Sequence, residues 1–151
     1  MESEKKATYI YLVTIAYDGS NFAGWAKQPE EFTVQGYIEN ILSRVLAQKI
    51  NILATSRTDK GVHAREQKFT LRLNFFLTSS KLKLILAKSL REYLTIKSVQ
   101  RVKASFHPLR AVIKKEYHTK KLLNILTIFC GKHDFFNFAY CRQKDRPKIS
   151  T

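Results

Sequence analysis

The chain of 151 residues is poor in cysteine, proline, glycine and acidic side chains. Its two cysteines, Cys130 and Cys141, are too few for a multiply bridged secreted framework, and reduced cytosolic thiols are the simpler reading. Three prolines and five glycines exclude collagen-like and low-complexity architectures. Met1-Glu2-Ser3-Glu4-Lys5-Lys6 is charged where a signal peptide needs an apolar core, so a cytoplasmic location is expected. The late apolar run from Leu122 to Phe129 is too short to span a bilayer, and no membrane partner is expected.

What is present is a soluble composition with a lopsided charge. Apolar residues make up 44% and charged residues 26%, enough for one compact domain with a sizeable core, or one domain plus a fragment of a second. Lysine and arginine total 27 against 12 acids, for a formal charge of +15. Residues 1–80 carry 10 basic and 8 acidic side chains, net +2, whereas residues 81–151 carry 17 and 4, net +13. An excess of that size favours a polyanion, because each neutralised phosphate releases condensed counterions. A solvated basic surface is the plainer alternative.

The apolar pattern supplies the architecture. Tyr9 to Tyr17 is β-branched and aromatic and closes at Asp18-Gly19, as a buried strand does before a turn. Residues 18–33 form a loop, and Thr33 is a plausible N-cap for a helix reaching about Gln48. Its apolar set Val34, Ile38, Ile41, Leu42, Val45 and Leu46 keeps helical spacing. Ile50 to Thr55 reads as a short strand entering the polar loop Ser56–Ala64. Lys68 to Phe75 alternates strictly, with Phe69, Leu71, Leu73 and Phe75 on one side and Lys68, Thr70, Arg72 and Asn74 on the other. A second helix is expected over Lys81 to Arg91, with Leu82, Ile85, Leu86 and Leu90 inward, and a fourth strand over Thr95 to Val102. The order β-α-β-β-α-β is that of an α+β ferredoxin-like domain, an antiparallel sheet with two helices on one face. Residues 1–105 would form this domain. Residues 106–151 are too few for an independent core and read as an incomplete second half, with a possible strand from Tyr117 to Leu123 and a polar, fraying end from Lys144.

The chemistry concentrates in Ser56-Arg57-Thr58-Asp59-Lys60-Gly61-Val62-His63-Ala64. Arg57 and Lys60 flank Asp59, Gly61 allows a sharp turn, and cations close to a carboxylate stabilise its charge. A charged carboxylate in a basic cleft can act as nucleophile or general base. A surface turn with a local ion pair explains the same residues. His63 either pins the loop by a hydrogen bond or titrates. Phe22 and Trp25 read as packing or loop-anchoring residues rather than base-stacking ones. Cys130-x-x-His133 with Cys141 lacks a fourth ligand and fits no zinc spacing, so no metal site is expected. P-loop, G-x-S-x-G and H-E-x-x-H elements are absent.

Order and spacing of several elements carry a resemblance. Tyr17-Asp18-Gly19, Phe22, Gly24-Trp25, Gln28-Pro29, Thr33-Val34-Gln35-Gly36, Ile38-Glu39, Arg57-Thr58-Asp59 and Gly61-Val62-His63-Ala64 together resemble the N-terminal half of the bacterial tRNA pseudouridine synthases of the TruA family. Phe106-His107-Pro108 and Lys115-x-Tyr117 resemble that family's second active-site segment, and Gly131-Lys132-His133-Asp134-Phe135 with Phe138 its G-x-HDF-x-x-F element. The resemblance implies an isomerase that converts uridine to pseudouridine at positions 38, 39 and 40 in the anticodon stem and loop of tRNA, with neither metal nor organic cofactor. It implies that Asp59 is the catalytic aspartate, that Arg57 pairs with it and helps hold the flipped-out nucleotide, and that Tyr117 stacks on the target base. It also implies a homodimer.

The physical problem agrees with those roles. A stacked base cannot be attacked, so it must be extruded, at a cost met by phosphate contacts and replacement stacking. Lys68 and Arg72 on the polar sheet face are candidates for part of that grip. The chain departs from the family at Ser56, where a glycine is usual, at Leu109-Arg110, where an arginine followed by an aromatic is usual, and at Thr119. It is also short between Tyr117 and Gly131 and lacks most of a second α/β half. A non-catalytic RNA-binding module or a nonfunctional fragment are the alternatives this contraction raises.

Overall fold

A computed structural model describes residues 8–110. These all belong to the first of two compact units into which the chain divides, Met1–Ile113. Tyr117, the strand expected from it, the Cys130, His133 and Cys141 group, and nearly all of the expected second half lie outside the described residues.

Strand β1 (Tyr9–Tyr17) matches its expected bounds and occupies the centre of the sheet. Helix α1 (Val34–Val45) follows, then β2 (Leu53–Ala54), β3 (Ala64–Leu73), helix α2 (Ser79–Ser89) and β4 (Leu94–Val102). The four strands pair antiparallel in the order β2-β3-β1-β4. That is the α+β ferredoxin-like arrangement the pattern foretold, in which each helix carries the chain across one intervening strand.

One face of the sheet builds the core. Tyr11, Val13 and Ile15 of β1 are fully buried beside Phe69, Leu71 and Leu73 of β3. Val34, Ile38 and Leu42 of α1 and Leu82 and Leu86 of α2 join the same cluster, so both helices cover that face. Each helix starts where a threonine hydroxyl accepts a backbone N–H that the helix itself leaves unpaired. Thr33 Oγ1 accepts from Gly36 at 3.2 Å, as expected. Thr78 Oγ1 accepts from Lys81 at 3.3 Å, which opens α2 two residues before the expected Lys81. Helix α1 stops short of Gln48 because Ala47 takes a left-handed φ of 49°. Val45, one of the helically spaced apolar set, is exposed at the last turn.

Two expectations for the strands need correction. The strand expected over Ile50 to Thr55 reduces to Leu53–Ala54. Ile50 and Ile52 are buried, but their N–H groups donate to Ser43 Oγ at 3.0 Å and Glu39 Oε1 at 3.1 Å, side chains of α1 that replace a ladder partner. Strand β3 begins earlier than expected, at Ala64 opposite Tyr17, and ends before Phe75, which is exposed. Thr70 belongs to the polar face as expected, yet it is buried, its hydroxyl donating to the Leu53 carbonyl at 3.4 Å.

Candidate active-site loop

Residues 55–63 connect β2 to β3 at the end of the sheet where β1 finishes. The root of this loop is tied to β3. Thr55 N–H donates to the Lys68 carbonyl at 2.9 Å, and the buried Gln67 amide donates to the Ser56 carbonyl at 2.7 Å while its oxygen accepts from the Ser56 hydroxyl at 3.1 Å. Glutamine at an otherwise apolar, helix-facing position of β3 thereby anchors the loop backbone.

The middle of the loop is tied to the segment after β1. Trp25 N–H donates to the Thr58 carbonyl at 2.9 Å, and Gly61 N–H donates to the Phe22 carbonyl at 3.3 Å. Thr58 Oγ1 and the Tyr17 hydroxyl lie 2.8 Å apart. Gly24, at φ 113°, makes this approach possible: a Cβ there would sit 3.0 Å from the Thr58 carbonyl oxygen and 3.4 Å from the Asp59 carbonyl carbon. The turn closes with Val62 N–H donating to the Asp59 carbonyl at 3.2 Å over Gly61, whose φ of 75° is the conformation expected of that glycine. Phe22 and Trp25 are each only 2% exposed, and their rings pack on Tyr17 at centroid distances of 6.1 and 6.3 Å. They anchor the loop, as the sequence suggested.

The charged heads, by contrast, project outward. Arg57, Asp59 and Lys60 are all exposed. The ion pairs among the described residues are Lys27–Glu39 and His63–Asp18, and Asp59 joins neither. Its expected local pairing with Arg57 or Lys60 is therefore not formed, because the turn points the side chains into solvent rather than at one another. Lys68 and Arg72 are likewise exposed, on the sheet face opposite the helices. Tyr117 lies outside the described residues.

His63 pins the loop. Its Nδ1 is 3.2 Å from the Gly19 N–H and 3.0 Å from Asp18 Oδ1. The first contact needs a lone pair on Nδ1 and the second a proton there, so one ring makes one of them at a time. Asp18 also accepts from Ser20 N–H at 2.8 Å; a side-chain hydrogen bond with Ser20 chiefly, and then that backbone bond, hold its carboxyl below the ordinary value, with His63 adding to them. Burial pushes the Tyr17 phenol above its ordinary range, offset in part by the Thr58 bond.

Motif residues around α1 brace the same loop region from behind. Gln35 Nε2 donates to Glu39 Oε1 at 2.9 Å, the Gln35 N–H donates to the Trp25 carbonyl at 3.0 Å, and Lys27 Nζ lies 3.6 Å from Glu39 Oε2. Glu39 is a buried acid with three partners. In the sequence only its place in a motif marks it, since nothing in helical spacing signals a buried carboxylate. Tyr17 was equally hidden, because its partner is 41 residues away. Among the described residues no group of three or more His, Cys, Asp or Glu side chains could hold a metal ion.

The antiparallel sheet backed by two helices, with an exposed carboxylate on a braced loop, is an α+β domain. Comparison with known proteins gives the class its family. Residues 13–108 match the family model for tRNA pseudouridine synthase. A protein named tRNA pseudouridine synthase A from Mesoplasma florum is 32% identical, over 95% of this chain and 68% of its own length. Proteins of the same name from Borreliella afzelii and Brevibacillus brevis are 34% and 40% identical, over 91% of this chain and 67% and 66% of their own lengths. The chain belongs to the tRNA pseudouridine synthase family, a family of isomerases.

Proposed function

We propose that this chain isomerises uridine to pseudouridine at positions 38, 39 and 40 in the anticodon stem and loop of tRNA, with Asp59 as the reacting carboxylate. The reaction breaks the N1–C1′ bond, turns the base, joins C5 to C1′ and moves the C5 proton to N1, so that no atom is gained or lost. Asp59 attacks the nucleoside or removes that proton. Arg57 holds the extruded nucleotide, and Tyr117 stacks on its base. Residues 1–105 form the catalytic domain. The protein works in the cytoplasm as a homodimer.

One observation carries the reading: the Asp59 carboxylate has no partner among the described residues while the backbone that bears it is bonded from both sides. A carboxylate serving only as a structural ion pair would be engaged. Exposed Arg57 and Lys60 beside it give an extruded nucleotide cations to meet its phosphates. The direct test is a turnover assay on an unmodified anticodon arm with the 151-residue protein. Pseudouridine at one or more of positions 38 to 40 is expected; none at stoichiometric protein would overturn the assignment.

A second reading, an RNA-binding module without turnover, takes the exposed Arg57, Lys60, Lys68 and Arg72 as a phosphate-binding surface alone. It predicts tRNA affinity falling steeply with salt and no product.

A further inference from the structure

We propose that Tyr17 is a positioning residue for Asp59, acting through the hydroxyl–hydroxyl hydrogen bond to Thr58. The inference rests on the reading of Asp59 as the reacting group, and assigns to Tyr17 a task that a phenylalanine of the same shape would not perform.

Packing alone accounts for the Tyr17 ring. It is 6% exposed and packs edge-on to Phe22 and against Trp25, and a phenyl ring would satisfy both contacts. The hydroxyl is what needs explaining. A phenol oxygen in a mostly buried position is costly unless bonded, and this one is bonded at 2.8 Å to Thr58 Oγ1. Burial keeps the phenol protonated across the working pH range, so the bond does not come and go with pH.

Thr58 is the one member of Arg57-Thr58-Asp59-Lys60 that is not fully exposed. It is held at two points, its carbonyl by Trp25 N–H at 2.9 Å and its side chain by Tyr17. Two bonds on one residue fix its rotation as well as its position. The next Cα along the chain carries the carboxylate, and no bond or ion pair among the described residues steers that carboxylate directly. Its aim therefore depends on the backbone that bears it, set on one side by the Val62 N–H bond to the Asp59 carbonyl and on the other by the orientation of Thr58. Misplacement of a reacting group by about 1 Å costs on the order of 100-fold in rate.

The test compares Tyr17→Phe, Thr58→Val and Thr58→Ser with the unaltered protein. Turnover on tRNA and amide hydrogen exchange at Gly61 and Val62, whose N–H groups bond to Phe22 and Asp59, are both measured. Tyr17→Phe and Thr58→Val should each lower kcat roughly 10- to 100-fold with KM within about 3-fold. Thr58→Ser, which keeps the hydroxyl, should restore most of the rate. The double variant Tyr17→Phe with Thr58→Val should be no slower than the slower single, since both remove one bond. Exchange at Gly61 and Val62 should quicken in both single variants while the β1 and β3 amides stay protected. A folded Tyr17→Phe protein with unchanged kcat would overturn the proposal, as would a fall in KM-normalised rate that Thr58→Ser fails to restore. If the unaltered protein makes no pseudouridine, the assignment of function falls, and exchange alone decides the bond's role: quickening confined to the loop upholds it, and no change refutes it.

Discussion

The two helices cover the same sheet face by different chemistry. The α1 side is cross-linked by polar side chains: Glu39 accepts from Gln35 and Ile52, Ser43 from Ile50, and Gln48 just beyond the helix bonds the Arg72 carbonyl at 3.0 Å and the Asn74 N–H at 3.2 Å. The α2 side is held by Leu82, Leu86 and Leu90, and among the described residues no side chain of α2 itself makes a hydrogen bond. Apolar packing is non-directional and tolerates rearrangement, whereas each hydrogen bond fixes a distance and an angle. The half that fixes geometry is the half that carries Trp25, β2 and the entry to the Asp59 loop. The α2 side packs through leucines, with its polar ties at the entry to the helix, where Thr78 caps it and the Tyr11 hydroxyl bonds the Leu77 carbonyl at 2.6 Å and the Leu77 N–H at 3.0 Å.

The comparison can be broken by conservative substitutions. Full deletions should not separate the two sides: Leu86→Ala, by loss of contacts and a residual cavity, and Glu39→Ala, by stranding Ile52 N–H and Gln35, should each cost about 3 kcal/mol in denaturant unfolding. Shape-conserving changes should separate them. Leu86→Met should cost less than about 1.5 kcal/mol. Glu39→Gln keeps the size, but forfeits the Lys27 pair and presents an amide to a site built from donors, and it should cost about 2 kcal/mol. Equal costs for the two conservative variants would show that the polar side is no more exacting than the apolar one.

A smaller effect sharpens the account of how α1 ends. Ala47 sits at φ 49°, where a Cβ is crowded and glycine is not. Ala47→Gly should raise stability by about 0.5–1 kcal/mol, read as an increase of several degrees in Tm. A lower Tm would mean that the helix end is set by something other than that turn.

The smallest effect concerns pH. The Asp18 carboxyl is held below its ordinary value of 3.8, so the stability it contributes is present above that value and lost as pH falls through the folded-state value. The Tm difference between the unaltered protein and Asp18→Ala should therefore be constant near neutrality and shrink on acidification below about pH 4. A difference that widened on acidification would reverse the sign of that coupling.

Much of this architecture was legible in residue order because it depends on local periodicity. The β-branched, aromatic run of β1, the alternation of β3, the spacing of Leu82, Leu86 and Leu90, and the Thr33 cap are all properties of neighbouring residues. The length of β2 was not legible, since it depends on Glu39 and Ser43 taking N–H groups that a longer strand would have paired. At the candidate site the motif pointed to the loop, and its composition suggested a local ion pair. Composition cannot say which way side chains leave a turn, and the turn over Gly61 sends Arg57, Asp59 and Lys60 outward. The Tyr17–Thr58 bond and the close approach at Gly24 join residues far apart in the chain, and no spacing rule reaches that distance.

The account rests on Asp59 serving chemistry and not RNA affinity. The most direct measurement is nucleotide-resolution mapping of pseudouridine in unmodified tRNA treated in parallel with the unaltered protein and with Asp59→Ala, alongside the affinity of each for that tRNA. Product at positions 38 to 40 with the unaltered protein, none with Asp59→Ala, and affinities within a few-fold of each other are the expected result. Equal product from both proteins would contradict it.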